Sequence, residues 1–274
     1  MNRETTRRAL ILLLVGVLAV AGCATGGGGS EGASDRPGDA ASTSAPDTAA
    51  TPSGEPSGEG SSSTPEPSST PTPDPARADA TIQRIPKQQW QRITAAGVWR
   101  PGCPVGRHQL RRVEVNFVDF SGEVRRGALV VNRDVAPSIA RLFTKLFRER
   151  FPIHRMRPVE AYDGDSNASL RAGNTSAFNC RRPTQINAPV GASPHAHGRA
   201  IDINPRQNPW IDLRCDCWFP SARNKERTPG PGKINKGGLV WRAFTAEGWI
   251  WQNIDVPDYM HFDTGYPSKP FGGN

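Results

Sequence analysis

Two short segments in the C-terminal half of the chain carry residues whose types and spacing suit a reaction centre. Residues 193–202 read SPHAHGRAID, and residues 258–263 read DYMHFD. Imidazole and carboxylate groups are the usual ligands of catalytic zinc, which takes three protein ligands and keeps a fourth position for water. A zinc ion bound in this way lowers the pKa of that water toward neutrality. The two segments therefore predict a metal site that activates water.

Three side chains are the predicted ligands: His195, Asp202 and His261. His195 and Asp202 can converge if the chain turns at Gly198 and enters a strand at Ala200. His261, from a distant segment, would complete a set of two imidazoles and one carboxylate. The prediction requires these elements to bring the two segments together.

The neighbours of these residues leave alternatives open. Asp258 lies three residues before His261 and is placed to reach the water rather than the metal, where it would accept a proton. His195 and His197 could instead chelate as a pair from one face of a strand. From the residues alone, the same side chains could also be ordinary surface or capping groups.

Elements upstream of the two segments must form the scaffold. Alternating apolar residues between Cys103 and Val131 predict a β-hairpin. After Asp134, apolar residues recur at helical spacing and predict a helix that ends before Phe151. Residues 151–162 are a possible further strand.

The second half of the domain is rich in Gly, Asn, Ser and Pro, with an amphipathic stretch at 240–246. Because strands and helices are segregated along the chain, an α+β fold is favoured over a doubly wound sheet. We expect a small antiparallel sheet with flanking helices and long loops. Trp249 and Trp251 follow at alternate positions, as substrate-lining residues or as one face of a buried strand, and we expect at least one in the core.

Charge and composition divide the chain of 274 residues into three parts. Residues 1–23 carry a net charge of +2, residues 24–80 carry −7 and residues 81–274 carry +13. All Trp, Phe and Tyr residues lie beyond residue 80, which makes 81–274 the predicted folded domain. A multi-span membrane protein is excluded because the sequence has one long apolar run.

Residues 1–23 are predicted to be a lipoprotein signal peptide. Two arginines precede an apolar stretch from Ala9 to Ala21. The stretch ends in LAVAGC, which resembles the lipobox of bacterial lipoproteins. The resemblance implies acylation of Cys23 and cleavage before it, and acyl chains would anchor the protein to the cell membrane. The alternative is an ordinary cleaved signal with an incidental cysteine.

Residues 24–80 consist mostly of Gly, Ser, Thr, Pro and Ala with scattered acids. Such a segment cannot bury enough apolar surface to offset its ordering entropy, so we predict a disordered linker. The folded domain would then work outside the cytoplasm, facing the cell wall, at a distance from its anchor.

Besides Cys23, the chain has four cysteines: Cys103, Cys180, Cys215 and Cys217. An even count in an exported domain predicts disulfides. Cys103–Cys180 is the first hypothesis, since it would join the hairpin to the loop-rich half. A Cys215–Cys217 bridge would be strained but possible. A thiolate metal site is disfavoured because Cys-Asp-Cys lacks the two-residue gap typical of zinc ligands.

The pattern Ser-x-His-x-x-Gly-x-Ala-x-Asp is met at every fixed position by residues 193–202. It resembles the first zinc motif of the zinc D,D-carboxypeptidases, the family of vancomycin-resistance carboxypeptidases and phage L-alanyl-D-glutamate endopeptidases. The second motif of that family is an acid, two residues and His. Residues 258–261 match it, with Asp where many members have Glu. The resemblance covers roughly residues 113–271.

The resemblance implies a hedgehog-like fold with one Zn²⁺. It implies that His195, Asp202 and His261 are the ligands and Asp258 the general base. His197 falls on a variable position of the pattern and stays outside the ligand set.

The family also has an arginine upstream of the first motif, which polarises the scissile carbonyl and stabilises the oxyanion. Residues 174–181 resemble the stretch that carries it, which implies Arg181; Arg171 and Arg182 are the alternatives. Ser193 is expected to orient the loop or the substrate. A serine D,D-peptidase is excluded because the sequence contains no Ser-x-x-Lys.

The function implied by the resemblance is hydrolysis of peptidoglycan stem peptides at a bond that contains a D-amino acid. D-alanyl-D-alanine carboxypeptidase is the first hypothesis. An endopeptidase for the L-alanyl-D-glutamate bond or a cross-link, and a non-catalytic wall-binding lipoprotein, are the alternatives. The +13 charge of the domain suits an anionic wall, whereas export argues against nucleic acid as a partner. We expect a monomer.

Overall fold

The computed structural model describes residues 74, 76–180, 193–252, 256–265 and 268–272. These residues belong to one compact unit, residues 66–274. The predicted signal peptide, Cys23 and most of the predicted linker lie outside the described residues, as do Arg181 and Arg182. None of the described helices has the length and apolar character needed to cross a membrane.

The α+β prediction is confirmed, with short helices, small and mostly antiparallel sheets, and long loops. The expected segregation along the chain is wrong, because the described helices alternate with single strands and hairpins. The described strands are β1 Thr81–Arg84, β2 Leu110–Val118, β3 Val124–Asn132, β4 Arg155–Met156, β5 Asn174–Thr175, β6 Ala200–Asp202, β7 Trp210–Asp212, β8 Cys217–Phe219, β9 Ile250–Trp251 and β10 His261–Asp263. The described α-helices are α1 Lys87–Ala95, α2 Ala136–Arg148, α3 Ser166–Arg171 and α4 Leu239–Ala246. Short 3₁₀ helices are Arg107–Gln109, Val159–Tyr162, Pro194–His197 and Ala222–Asn224.

The predicted hairpin is present as β2 and β3, and β1 pairs with the outer edge of β2. Strand β2 begins at Leu110 rather than near Cys103, because residues 107–109 form a 3₁₀ turn. Helix α2 packs on this sheet with an apolar face of Ile139, Leu142, Phe143 and Leu146, all buried. The helical spacing in the sequence therefore located both the helix and its buried side.

A second sheet, in the order β6-β10-β9, lies beside the first core. Its antiparallel register places His261 opposite Asp202 and Phe262 opposite Ile201. Successive side chains of a strand point to opposite faces of the sheet. Phe262 and Ile201 are fully buried in the core, so His261 and Asp202 lie together on the other face.

Residues 151–162 differ from the expected strand. Only β4 is extended, and it pairs in parallel with β5. Pro158 then precedes the 3₁₀ helix Val159–Tyr162. Proline lacks the N–H that a ladder needs, so it ends the extended segment.

Both predicted disulfides are present in the structure, with Cα–Cα distances of 6.0 Å for Cys103–Cys180 and 5.1 Å for Cys215–Cys217. The first bridge joins the segment before the hairpin to the loop-rich half, as predicted. Cys180 is buried, and its N–H donates to the carbonyl of Val98. The second bridge closes the turn between β7 and β8.

Candidate metal centre

His195, Asp202 and His261 meet in one buried cluster. Nε2 of His195 lies 3.1 Å from Nδ1 of His261. Oδ1 of Asp202 lies 3.3 Å from the first of these atoms and 3.1 Å from the second. Tetrahedral zinc with bonds of about 2.0–2.1 Å holds its ligand atoms about 3.3 Å apart. The three atoms therefore have the spacing of one face of a zinc tetrahedron.

Hydrogen bonds on the far side of each ring orient the two imidazoles. Nδ1 of His195 lies 2.6 Å from the carbonyl oxygen of Ala177, which can only accept, so this nitrogen carries the proton. Nε2 of His261 lies 3.0 Å from Oδ2 of Asp263 and donates to that carboxylate. Both assignments leave an unprotonated nitrogen in the cluster, as a metal ligand must be.

The electrostatics of the cluster call for a cation. Burial lowers the pKa of His261, but hydrogen bonds to Asp202 and Asp263 and the charge of Asp258 raise it to about 10. Burial acts to raise the pKa of Asp202, but the nearby His195 and His261 hold it far below its usual range. Without a metal, a proton must lie among the lone pairs of Nε2 of His195, Nδ1 of His261 and Oδ1 of Asp202, which otherwise repel one another. A divalent cation bound to the three atoms removes the same repulsion, so the donor set fits zinc.

The first segment is shaped by Gly198. The 3₁₀ helix Pro194–His197 ends at this glycine, whose φ of 68° is left-handed. The N–H of Asn132, at the end of β3, donates to the carbonyl of Gly198, and the Asn132 side chain donates to the carbonyl of His197. A Cβ on Gly198 would lie 2.7 Å from the Asn132 nitrogen. The glycine of the motif thus lets the turn dock on the hairpin before β6 begins.

We expect Gly198→Ala to lower the free energy of unfolding by more than about 2 kcal/mol, because left-handed strain adds to the clash with Asn132. Gly237→Ala is the matched control, since Gly237 has a φ of 75° but nothing within 4 Å of its added Cβ. Denaturant unfolding of both variants measures the difference. Equal losses would show that the close approach to Asn132 has no energetic role.

Asp258 is held beside the cluster by backbone contacts. The N–H of His261 donates to its carbonyl at 3.2 Å, and Asp258 forms a β-bridge with Trp210. The N–H of Tyr259 donates to Pro209, on the chain entering β7. The Trp218 ring of β8 stacks on Tyr259 with centroids 5.6 Å apart. The β7–β8 hairpin therefore positions the segment that carries Asp258.

Residues 187–264 match a family model described as D-alanyl-D-alanine carboxypeptidase, of the zinc M15 peptidases. The match spans His195, Asp202, Asp258 and His261 and leaves residues 1–186 and 265–274 unmatched. No curated protein and no solved structure gives a significant match to the chain. The family match and the geometry of the cluster together support a zinc peptidase domain.

His197 does not join the cluster of described residues. It belongs to a 3₁₀ helix rather than a strand. At three residues per turn, positions i and i+2 do not share a face, so the alternative pair of His195 with His197 is wrong. Ser193 is buried at the start of the same helix, where its carbonyl accepts from Ala196, in keeping with a role in orienting the loop. The guanidinium of Arg171 lies over the Phe219 ring.

The two tryptophans have different surroundings. Trp249 is 2% exposed, packs on Phe244 and donates from Nε1 to the Ser138 hydroxyl at 2.9 Å. A buried ring cannot face a substrate, so the substrate-lining role predicted for Trp249 is wrong and it belongs to the core. Trp251 is half-buried and donates to the carbonyl of Tyr259 at 3.0 Å, which braces the segment between Asp258 and His261.

Asp263 belongs to the site but to neither of the two motifs, which cover residues 193–202 and 258–261. Its carboxylate is fully buried. Oδ2 accepts a hydrogen bond from Nε2 of His261, and Oδ1 accepts one from the N–H of Gly265 at 2.8 Å. The signal was present in the sequence, because residues 261 and 263 of one strand must share a face. Asp263 is the carboxylate that fixes the tautomer of His261.

Proposed function

We propose that this protein is an exported zinc peptidase that hydrolyses peptidoglycan stem peptides at a bond containing a D-amino acid, with D-alanyl-D-alanine carboxypeptidase as the first hypothesis. The observation that carries the proposal is the triangle of Nε2 of His195, Oδ1 of Asp202 and Nδ1 of His261, with sides of 3.1–3.3 Å, inside the matched residues. In this proposal the three residues bind one Zn²⁺.

Zinc held there would supply a Lewis acid that polarises the peptide carbonyl and acidifies a bound water. Asp258 is proposed to accept a proton from the attacking water at its carboxylate and to return it to the leaving amine. The water oxygen bonds to the carbonyl carbon, the C–N bond breaks, and the products are a carboxylate and an amine. Arg181, outside the described residues, is proposed to stabilise the negative charge on the carbonyl oxygen.

The proposed location is the outer side of the cell membrane, facing the cell wall. Acylated Cys23 would anchor the chain to the cell membrane, and residues 24–80 would let a monomeric domain reach the wall. The +13 charge of residues 81–274 would favour approach to that anionic polymer.

The Asp263 carboxylate offers a test of the metal role. We expect Asp263→Asn to weaken zinc binding by about 10- to 100-fold, because the variant no longer offers an anion to the Nε2–H of His261. Chelator competition measures the affinity. Thermal unfolding of the metal-free variant is the control, since the amide has the same shape and can still accept from Gly265. Unchanged zinc affinity would show that Asp263 does not support the ligand.

The proposed reaction is tested by incubating the purified chain with muropeptides, with and without a chelator, and identifying products by mass spectrometry. Loss of a terminal D-alanine that stops on chelation and returns with zinc is the expected result. Cleavage between L-alanine and D-glutamate, or at a cross-link, would select the endopeptidase alternative. Zinc binding without any hydrolysis would overturn the enzyme and leave a wall-binding module.

A further inference from the structure

A cavity of about 350 Å³ lies where β1 ends beside the start of β2. It is lined by four arginines, one histidine and one isoleucine: Arg84, Arg107, Arg111, Arg133, His108 and Ile85. None of the residues described as lining it is acidic, and none belongs to the metal cluster. The cavity is therefore separate from the metal cluster and is lined by positive charge.

The contacts of these arginines hold their side chains but do not neutralise them. Nε of Arg107 donates to the carbonyl of Ile85 at 2.9 Å. An Nη of Arg111 donates to the carbonyls of His108 and Leu110 at 3.0 and 2.8 Å. Carbonyl oxygens are neutral, and no ion pair among the described residues involves any of the four lining arginines. Within the described part of the chain, the positive charge of these four arginines is therefore not compensated by a carboxylate.

Nearby arginines on the same sheet show the contrast. Arg112 pairs with Glu114 at 2.7 Å, and Arg126 lies 3.5 Å from a carboxylate oxygen of Asp79. These acids compensate the guanidinium groups on that part of the sheet. The cavity arginines are therefore a distinct set within a generally basic surface.

The strand register concentrates the charge. Arg84 and Arg111 are direct partners in the β1–β2 pairing, and residues opposite each other lie on the same face. Like charges in such a pair destabilise a sheet. The N–H of Arg133 donates to the carbonyl of Gln109, which brings the end of β3 to the same place. Three separated stretches of chain thus place positive charges around one opening, where an anion would relieve their repulsion.

We propose that this cavity binds a small phosphate monoester through its phosphate group. Guanidinium groups recognise both carboxylate and phosphate through paired hydrogen bonds. A carboxylate has two oxygens in one plane, whereas a phosphate monoester has three free oxygens and can engage arginines from several directions. The volume is near the lower end of small-molecule sites, about 300–1,000 Å³. A concave site of this size suits one phosphate unit better than the surface of a bilayer.

The test is calorimetric titration of the full chain with glycerol 3-phosphate and with inorganic phosphate at low salt. The double variant Arg84→Gln/Arg133→Gln removes two exposed charges of the cavity and spares the arginines bonded to backbone. We expect affinity for both ligands to fall at least about tenfold, since charge-assisted bonds are lost. The double variant Arg148→Gln/Arg223→Gln removes two exposed arginines that do not line the cavity and should bind as the parent does.

Each other outcome would overturn the proposal. Failure of both phosphates to bind would show that the cavity is not a phosphate site. Equal weakening in the two double variants would show that binding depends on the general positive charge of the surface rather than on the cavity. Equal affinity for glutamate would show a carboxylate site. Binding to phosphatidylglycerol vesicles without binding of glycerol 3-phosphate would assign the face to a membrane. Chelation of zinc should leave phosphate binding unchanged, so this proposal and the peptidase proposal can fail separately.

Discussion

His261→Ala is expected to lose bound zinc and hydrolytic activity together. The substitution removes one of three ligand atoms and leaves Oδ1 of Asp202 and Nε2 of His195, 3.3 Å apart, as the remaining pair. Lewis-acid stabilisation amounts to several kcal/mol, so activity should fall by about a thousandfold or more. Metal analysis of the purified protein and muropeptide hydrolysis are the two measurements.

His197→Ala is the matched control for this experiment. His197 is two residues from a proposed ligand but belongs to a 3₁₀ helix and lies outside the cluster. Its side chain should be dispensable for zinc content. Equal zinc in the parent and in His261→Ala would remove the basis of the proposed function, whereas zinc loss in His197→Ala would mean that the ligand set is misassigned.

Asp258→Asn is expected to separate metal binding from chemistry. The amide has nearly the same shape as the carboxylate but cannot accept the proton of the attacking water. Loss of a general base typically lowers the rate by about 10²- to 10⁴-fold. The backbone bond from His261 to residue 258 is retained in the variant, so zinc content should stay at the parent level. Parallel metal analysis and steady-state kinetics test both halves of the prediction.

Asp216→Asn is the matched control for Asp258→Asn, because it makes the same change from carboxylate to amide outside the proposed site. Asp216 is exposed at the turn between β7 and β8, with a φ of 49° that asparagine also adopts readily. It lies on the hairpin that positions Asp258 but is not proposed to act on substrate, so its substitution should leave kcat/KM unchanged. Full activity in Asp258→Asn would show that another group accepts the proton.

The elements that the sequence located are those whose signal is local. The β2–β3 hairpin and helix α2 follow from period-two and helical spacing of apolar residues, because each element buries one face against the same core. The strand expected over residues 151–162 is wrong beyond β4, because Pro158 cannot donate to a strand ladder despite the apolar residues around it. The Cys103–Cys180 pairing was anticipated from the need to join the hairpin to a half of the chain with little regular structure.

The candidate site divides in the same way. The residue types of the ligand triad and their membership in two motifs could be read from the sequence. The orientation of the rings could not, because the carbonyl of Ala177 and the carboxylate of Asp263 act through space. The place of Trp249 could not be read from the sequence either, because its alternation with Trp251 fitted both a pocket wall and a buried strand. Its packing on Phe244 in the structure decides for the core.

The sequence by itself determined which side chains could hold a metal, that every Trp, Phe and Tyr lies beyond residue 80, and that the fold is of the α+β class. Tertiary structure alone decided that three ligand atoms stand 3.1–3.3 Å apart and that arginines from residues 84, 107–111 and 133 line one cavity. The physical reason is that local patterns record which face of an element is buried. The meeting of distant segments depends on strand register and packing, which no single stretch of chain encodes.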